Sequence, residues 1–258
     1  MTSFIAAVRE SSRALYLAMQ GHAVLAVLTL PGIFFDSRQV TGLNPWFKPL
    51  KFDLSILIYA ATMAWVIRGF SEPWRRSVGR QIAVCMWVEI VLIYIQAARG
   101  VGSHFNVAHP LDGAVFTVMG LFILYNTLQI ARVAWAWFRR PPAAPPIYRL
   151  AVRWGLVSLL IGSALGGYMS AQMGHTVGAP DGGPGLPWLN WSTQAGDLRV
   201  AHFFGLHGIQ IFLILGLWLT RRNQARAGWI LHAVGVIFVL VVGWAFTEAR
   251  AGRPLLPG

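Results

Sequence analysis

Apolar residues run through this chain in long, nearly unbroken blocks. They cover about 15–35, 50–69, 82–99, 112–137, 150–171, 200–219 and 228–247. A run of roughly 18 or more apolar residues is long enough to cross a hydrocarbon layer of about 30 Å. Lipid offers no partner to backbone N–H and C=O groups, so such runs must be helical. The pattern predicts an all-α integral membrane protein: a seven-transmembrane-helix bundle, forming a single domain over residues 1–258. The first run is too long for the apolar part of a signal peptide and no small-residue cleavage site follows it, so it reads as a retained span. Between the blocks lie short polar stretches: residues 1–13, TGLNPWFKP, a basic turn with Arg75, Arg76 and Arg80, GVGSHFNVAHPLD, FRRPPAAPPIYR and RRNQAR. One longer stretch, Tyr168 to Gln210, carries a Gly/Pro-rich loop. No internal repeat is visible.

Composition supports the same reading. Hydrophobic residues make up 56% and charged residues 12% of the chain, against about a quarter charged in soluble domains. The net charge of +12 would suit nucleic acid, but the arginines cluster at the ends of apolar runs, which is the topological use of charge. Nucleic acid is therefore excluded as a partner. With the N-terminus inside, fourteen of the 21 basic residues face inward; Arg38, Lys48, Lys51, Arg99, Arg199, Arg250 and Arg253 face outward. This bias predicts an N-inside, C-outside protein. The single cysteine, Cys85, lies in an apolar run and can form no internal disulfide.

Candidate chemistry gathers at the outward face in this topology. Glu89, Gln96, Arg99 and Ser103 share one face of the third span. A carboxylate inside a spanning helix is costly and points into the bundle. Asp197 stands before the sixth span, where it can cap the helix. Arg199, His202 and Gln210 fall near one face of that span, with His207 roughly 140° from His202. That spacing does not match the four-residue interval of a helical zinc pair. Trp188 and Trp191 in the preceding loop suggest an ordered lid at the interface or an aromatic belt. Gly162, Gly166 and Ser170 form a small-residue face for close helix packing.

Three functions follow as expectations. The first is a site binding haem b or a transition metal and serving redox chemistry. Its ligands would come from His104, His175, His202 and His207, with an inner haem between His22 and His232. Glu89, Asp197 and Arg199 would then do the proton handling and substrate binding, and Arg99 would hold an anionic group or propionate. No CxxCH is present, so c-type attachment is excluded. The second is a metal-dependent hydrolase or transferase at the outer leaflet, with His104, His175 and His202 as ligands and Glu89 as base. Its substrate would be a small molecule or a lipid. The third is a small-solute transporter or channel lined by Glu89, Gln96, Asn126, Gln129 and Gln210.

The strings QAARGVGSHFN (Gln96 to Asn106), HTVGAPDGGPGLPWLNWS (His175 to Ser192) and GDLRVAHFFGLHGIQ (Gly196 to Gln210) resemble those of a family of uncharacterised bacterial multi-span integral membrane proteins. The resemblance implies one bacterial multi-span fold in the cytoplasmic (inner) membrane. It implies no activity and no ligand set.

Overall fold

In the computed structural model, which describes residues 4–222 and 225–256, the chain is helical almost throughout. The helices are α1 (Phe4–Ser11), α2 (Arg13–Phe35), α3 (Phe47–Ile67), α4 (Glu72–Arg99), α5 (Pro110–Arg139), α6 (Pro146–Ala171), α7 (Leu198–Arg222) and α8 (Ala227–Arg250). Among the described residues seven of these, α2 to α8, are long and apolar enough to cross a membrane. They coincide with the seven apolar blocks. Asn223 and Gln224, in the expected turn RRNQAR, lie outside the described residues.

The helices extend past the apolar blocks because backbone pairing does not stop where hydropathy does. α4 starts at Glu72 rather than near residue 82, with Pro73 in its first turn, a position that lacks an intrahelical partner for its N–H anyway. Arg76 pairs with Glu72 one turn earlier. The short stretch expected to be merely polar at the N-terminus contains α1. Phe4 and Ile5 on this helix are exposed while Val8 and Ser11 are buried. Ser12 accepts a hydrogen bond from the Leu15 backbone N–H and caps α2. Ser11 donates to the Ala64 carbonyl at 2.6 Å, and the Arg75 guanidinium donates to the Ser11 carbonyl at 3.0 Å.

The helices cluster into two compact units, Met1–Gln129 and Ile130–Gly258, the boundary falling within α5. In the first, α2, α3 and α4 pack against one another, with α1 against all three. Leu15, Met63, Ile67, Ile82, Ile90 and Ile93 are fully enclosed in its interior, which also holds buried polar groups.

In the second unit α6 and α7 lie in close backbone contact. A Cβ added to Gly162 would stand 2.5 Å from the Leu206 backbone nitrogen, and one on Gly205 would stand 2.6 Å from the Gly162 Cα. No residue larger than glycine fits there. The small-residue face expected on this helix is thus used at Gly162 and Gly166, and Gly155 extends it against Ile209. Ser158 donates to the Gly205 carbonyl at 2.8 Å across the same seam. α8 covers α6 and α7 through an apolar cluster of Ala151, Phe212, Leu219, Ala227 and Leu231.

The loop from α6 to α7 is ordered by a two-residue antiparallel ladder, β1 (Thr176–Val177) with β2 (Gly196–Asp197), pairing Thr176 with Asp197 and Val177 with Gly196. Gly196 lies against α8, where a Cβ would come 1.9 Å from the Ala249 carbonyl oxygen.

Candidate functional site

The polar stripe expected on α4 exists, and its members meet different partners. At the helix end Gly100 adopts the left-handed conformation (φ 70°), and the Val101 N–H returns to the Gln96 carbonyl at 3.1 Å. Glycine takes that conformation without strain. The chain then turns back over the end of the helix, held by the Asn106 side chain donating to the Gly102 carbonyl at 3.0 Å. Pro110 opens α5 and puts Asp112 in its first turn. Gln96 donates to Asp112 at 2.9 Å, and the Arg99 guanidinium donates to both Asp112 and Gln96. Asp112, 2% exposed, is therefore a compensated carboxylate.

Glu89 is not compensated in this way. It is 1% exposed, and neither carboxylate oxygen makes a hydrogen bond. It sits ten residues before Arg99, about 15 Å along the helix. The returning loop places His104 Nε2 3.4 Å from Glu89 Oε1, within ion-pair reach. Ser103 Oγ lies 3.1 Å from His104 Nδ1 and can donate to it, which directs an Nε2–H at Glu89. The rings of Phe52, Phe105 and Phe116 surround the imidazole. Burial and the Lys48 ammonium hold His104 below the usual histidine value, while the Glu89 carboxylate acts in the opposite direction. Nearby in the same unit, Tyr59 donates to Asn126 at 3.0 Å, and Gln129 is buried with its Oε1 without a hydrogen bond.

A second buried polar group in this unit was not legible in the sequence. His22 of α2 is fully enclosed, and its Nδ1 lies 2.7 Å from Asp53 Oδ1 of α3. Tyr94 of α4 donates to the other carboxylate oxygen of Asp53 at 2.7 Å, and Thr29 bonds the Tyr94 hydroxyl. Trp87 stacks on the His22 ring, centroids 4.8 Å apart. Asp53 carried the same signal as Glu89, a carboxylate inside a span.

The residues expected in the second unit serve the loop. Asp197 caps α7 by accepting the Arg199 backbone N–H at 3.0 Å. It also takes the Ser192 N–H at 2.8 Å and the Arg199 guanidinium at 2.6 Å. Arg199 donates in addition to the Asn190 carbonyl. Asp181 accepts the Thr176 N–H at 2.8 Å and stands 3.2 Å from His175 Nδ1, with Asp197 4.0 Å away. Trp191 packs on Phe203 and Phe204 of α7, while Trp188 is exposed. His202 Nδ1 lies 2.7 Å from the Gly162 carbonyl, and His207 stacks by Phe203. His232 of α8 faces outward and accepts from the Trp154 indole at 3.3 Å.

These positions bear on the haem and metal expectations. Among the described residues no three His, Cys, Asp or Glu side chains come together as a metal-holding group. At His22 one ring nitrogen is engaged by Asp53, and Trp87 presses so closely that a Cβ on Gly21 would lie 2.4 Å from it. Trp87 thus covers one face of the His22 ring. Each of His175 and His202 likewise has Nδ1 close to an oxygen of the protein.

Comparison with protein-family models, with curated proteins and with solved structures returns no match.

Proposed function

We propose that this chain is a multi-pass membrane protein that moves a small solute in exchange or in company with protons, Glu89 being the group that binds and releases them. The observation that carries this reading is the state of Glu89: enclosed within a spanning helix, without a hydrogen bond, and 3.4 Å from an imidazole. Ionisable groups inside spanning segments are rare and mark ion and proton pathways. Gln96, Asn126 and Gln129, the other residues of the same unit expected to line a path, are also buried there. In this reading His104 passes the proton between Glu89 and the membrane surface, and the Gln96–Arg99–Asp112 cluster holds the returning loop in place. The N-terminus lies inside and the C-terminus outside a bacterial cytoplasmic membrane, on the warrant of the arginine distribution. The loop carrying His104 then faces outward.

The test is proton flux in liposomes containing the purified protein and an entrapped pH-sensitive dye. Amino acids, monocarboxylates, sugars and polyamines are added in turn. At least one should drive proton movement in the native protein, and Glu89→Gln should abolish it. Flux that survives Glu89→Gln, or no flux with any class, overturns the proposal.

A further inference from the structure

The hydrogen bonds around His22 form one continuous chain. Thr29 bonds the Tyr94 hydroxyl, the Tyr94 O–H donates to Asp53 Oδ2 at 2.7 Å, and Asp53 Oδ1 takes the His22 Nδ1–H at 2.7 Å. Each of these atoms is engaged. The single exception is His22 Nε2, which is buried and has no hydrogen-bond partner. We infer that His22 and Asp53 form a proton-binding site of their own, loaded through His22 Nε2 and separate from Glu89.

Charge counting supports this. With His22 neutral and Asp53 ionised the pair itself carries one negative charge, and both residues are fully buried. Taking an uncompensated carboxylate out of water costs several kcal/mol. One proton added at Nε2 makes an imidazolium–carboxylate pair with no net charge. No bond breaks: the Nε2 lone pair accepts the proton and Nδ1–H remains on Asp53. Trp87 favours the same step. Its ring lies parallel to the imidazole to within 23°, at 4.8 Å, a position in which an aromatic face attracts a cation. The groups facing His22 are accounted for on each neighbouring helix: Asp53 from α3 and Trp87 from α4, with Tyr94 of α4 and Thr29 of α2 behind Asp53.

This inference does not depend on Glu89. The experiment is nitrogen NMR of the full-length protein in detergent, with ¹⁵N-histidine, from about pH 5 to pH 9, either side of the ordinary histidine value. His22→Gln assigns the signal. The expected result is a titrating Nε2 with Nδ1 protonated throughout, and a midpoint lowered about tenfold or more in proton affinity by Asp53→Asn, as the loss of an adjacent carboxylate requires. A parallel change in tryptophan emission, absent in Trp87→Phe, should follow the same midpoint. A His22 signal that does not move across the range overturns the inference, whether or not the variants fold. So does a midpoint unchanged in a folded Asp53→Asn protein. Glu89→Gln should leave the His22 titration in place, so failure of the proton-flux test and failure here are distinguishable.

Discussion

Two glycines five residues apart on α6 give a matched test of how the second unit holds together. At Gly162 an added methyl would meet backbone on two sides, 2.5 Å from Leu206 N and 2.7 Å from Gly205 C. At Gly167 it would meet nothing within 4 Å. Backbone cannot swing aside as a side chain can, so Gly162→Ala must push α7 away from α6. Overpacking of this kind costs about 1–3 kcal/mol. Alanine is also the better helix former by about 1 kcal/mol, and Gly167→Ala receives that gain with nothing against it. The propensity gain is common to both variants and cancels, so they should differ by roughly 1–3 kcal/mol, Gly167→Ala being the more stable. The separation also disturbs the Ser158–Gly205 and His202–Gly162 contacts, which depend on the same approach. Thermal unfolding in one detergent, followed by helical signal and by aggregation, measures the difference. Equal unfolding temperatures for the two variants would refute the claim that the α6–α7 seam needs bare backbone.

Asp197→Ala removes the α7 cap and the tie to Ser192 together, and should lower stability by about 0.5–2 kcal/mol while making residues 176–192 sensitive to protease; a loop as resistant as the native one would contradict the role given to Asp197. Asp36 sits in the loop after α2 and accepts from the Arg38 guanidinium, the Trp46 indole and the Arg38 backbone N–H, which hold its carboxyl well below the usual range. Its contribution to stability is present above the ordinary carboxylate value and is lost as pH falls toward the folded one, so acid unfolding curves of native protein and Asp36→Asn should converge at low pH and separate above it. Glu89→Gln should leave stability unchanged or raise it, whereas Asp112→Asn should lower it by about 1–3 kcal/mol because Arg99 loses its carboxylate in a partly buried site; equilibrium unfolding that ranked them the other way would sink the assignment of which acid is compensated.

The spans were legible because the physics that sets them is local. A helix in lipid needs only its own length and apolarity, and all seven blocks appear as helices. The ends were less legible. Glu72 to Gln81 of α4 is polar enough to read as a loop, yet it is helical, with Glu72 and Pro73 in its first turn. The stripe of Glu89, Gln96 and Arg99 was visible as a period. Which of its members would be satisfied was not, because that depends on where the loop after Gly100 returns and on Asp112 of the next helix. The His22–Asp53–Tyr94 group draws its members from three helices with no fixed spacing between them, so no sequence pattern could have assembled it. The histidines near α7 stand out in the sequence as candidate ligands, but their partners are not legible there: in the folded chain His175 lies against Asp181 and His202 against the Gly162 carbonyl.

Three carboxylates lie buried in the first unit, and the chain treats them unequally. Asp112 meets a guanidinium and an amide. Asp53 meets a phenol and an imidazole. Glu89 meets only an imidazole at 3.4 Å, with both oxygens free of hydrogen bonds. The cost of an ionised carboxylate in a low-dielectric interior rises as its donors are removed, so the three differ in how readily they take up a proton. Asp112 has the fullest set of donors, Asp53 has two, and Glu89 has only the imidazole beside it. A membrane protein that needed these acids only for packing could have given Glu89 a donor as it gave Asp112 an arginine. Glu89 is left without a hydrogen bond under a loop that carries an imidazole, and that difference from Asp112 and Asp53 is what the Glu89→Gln flux test addresses.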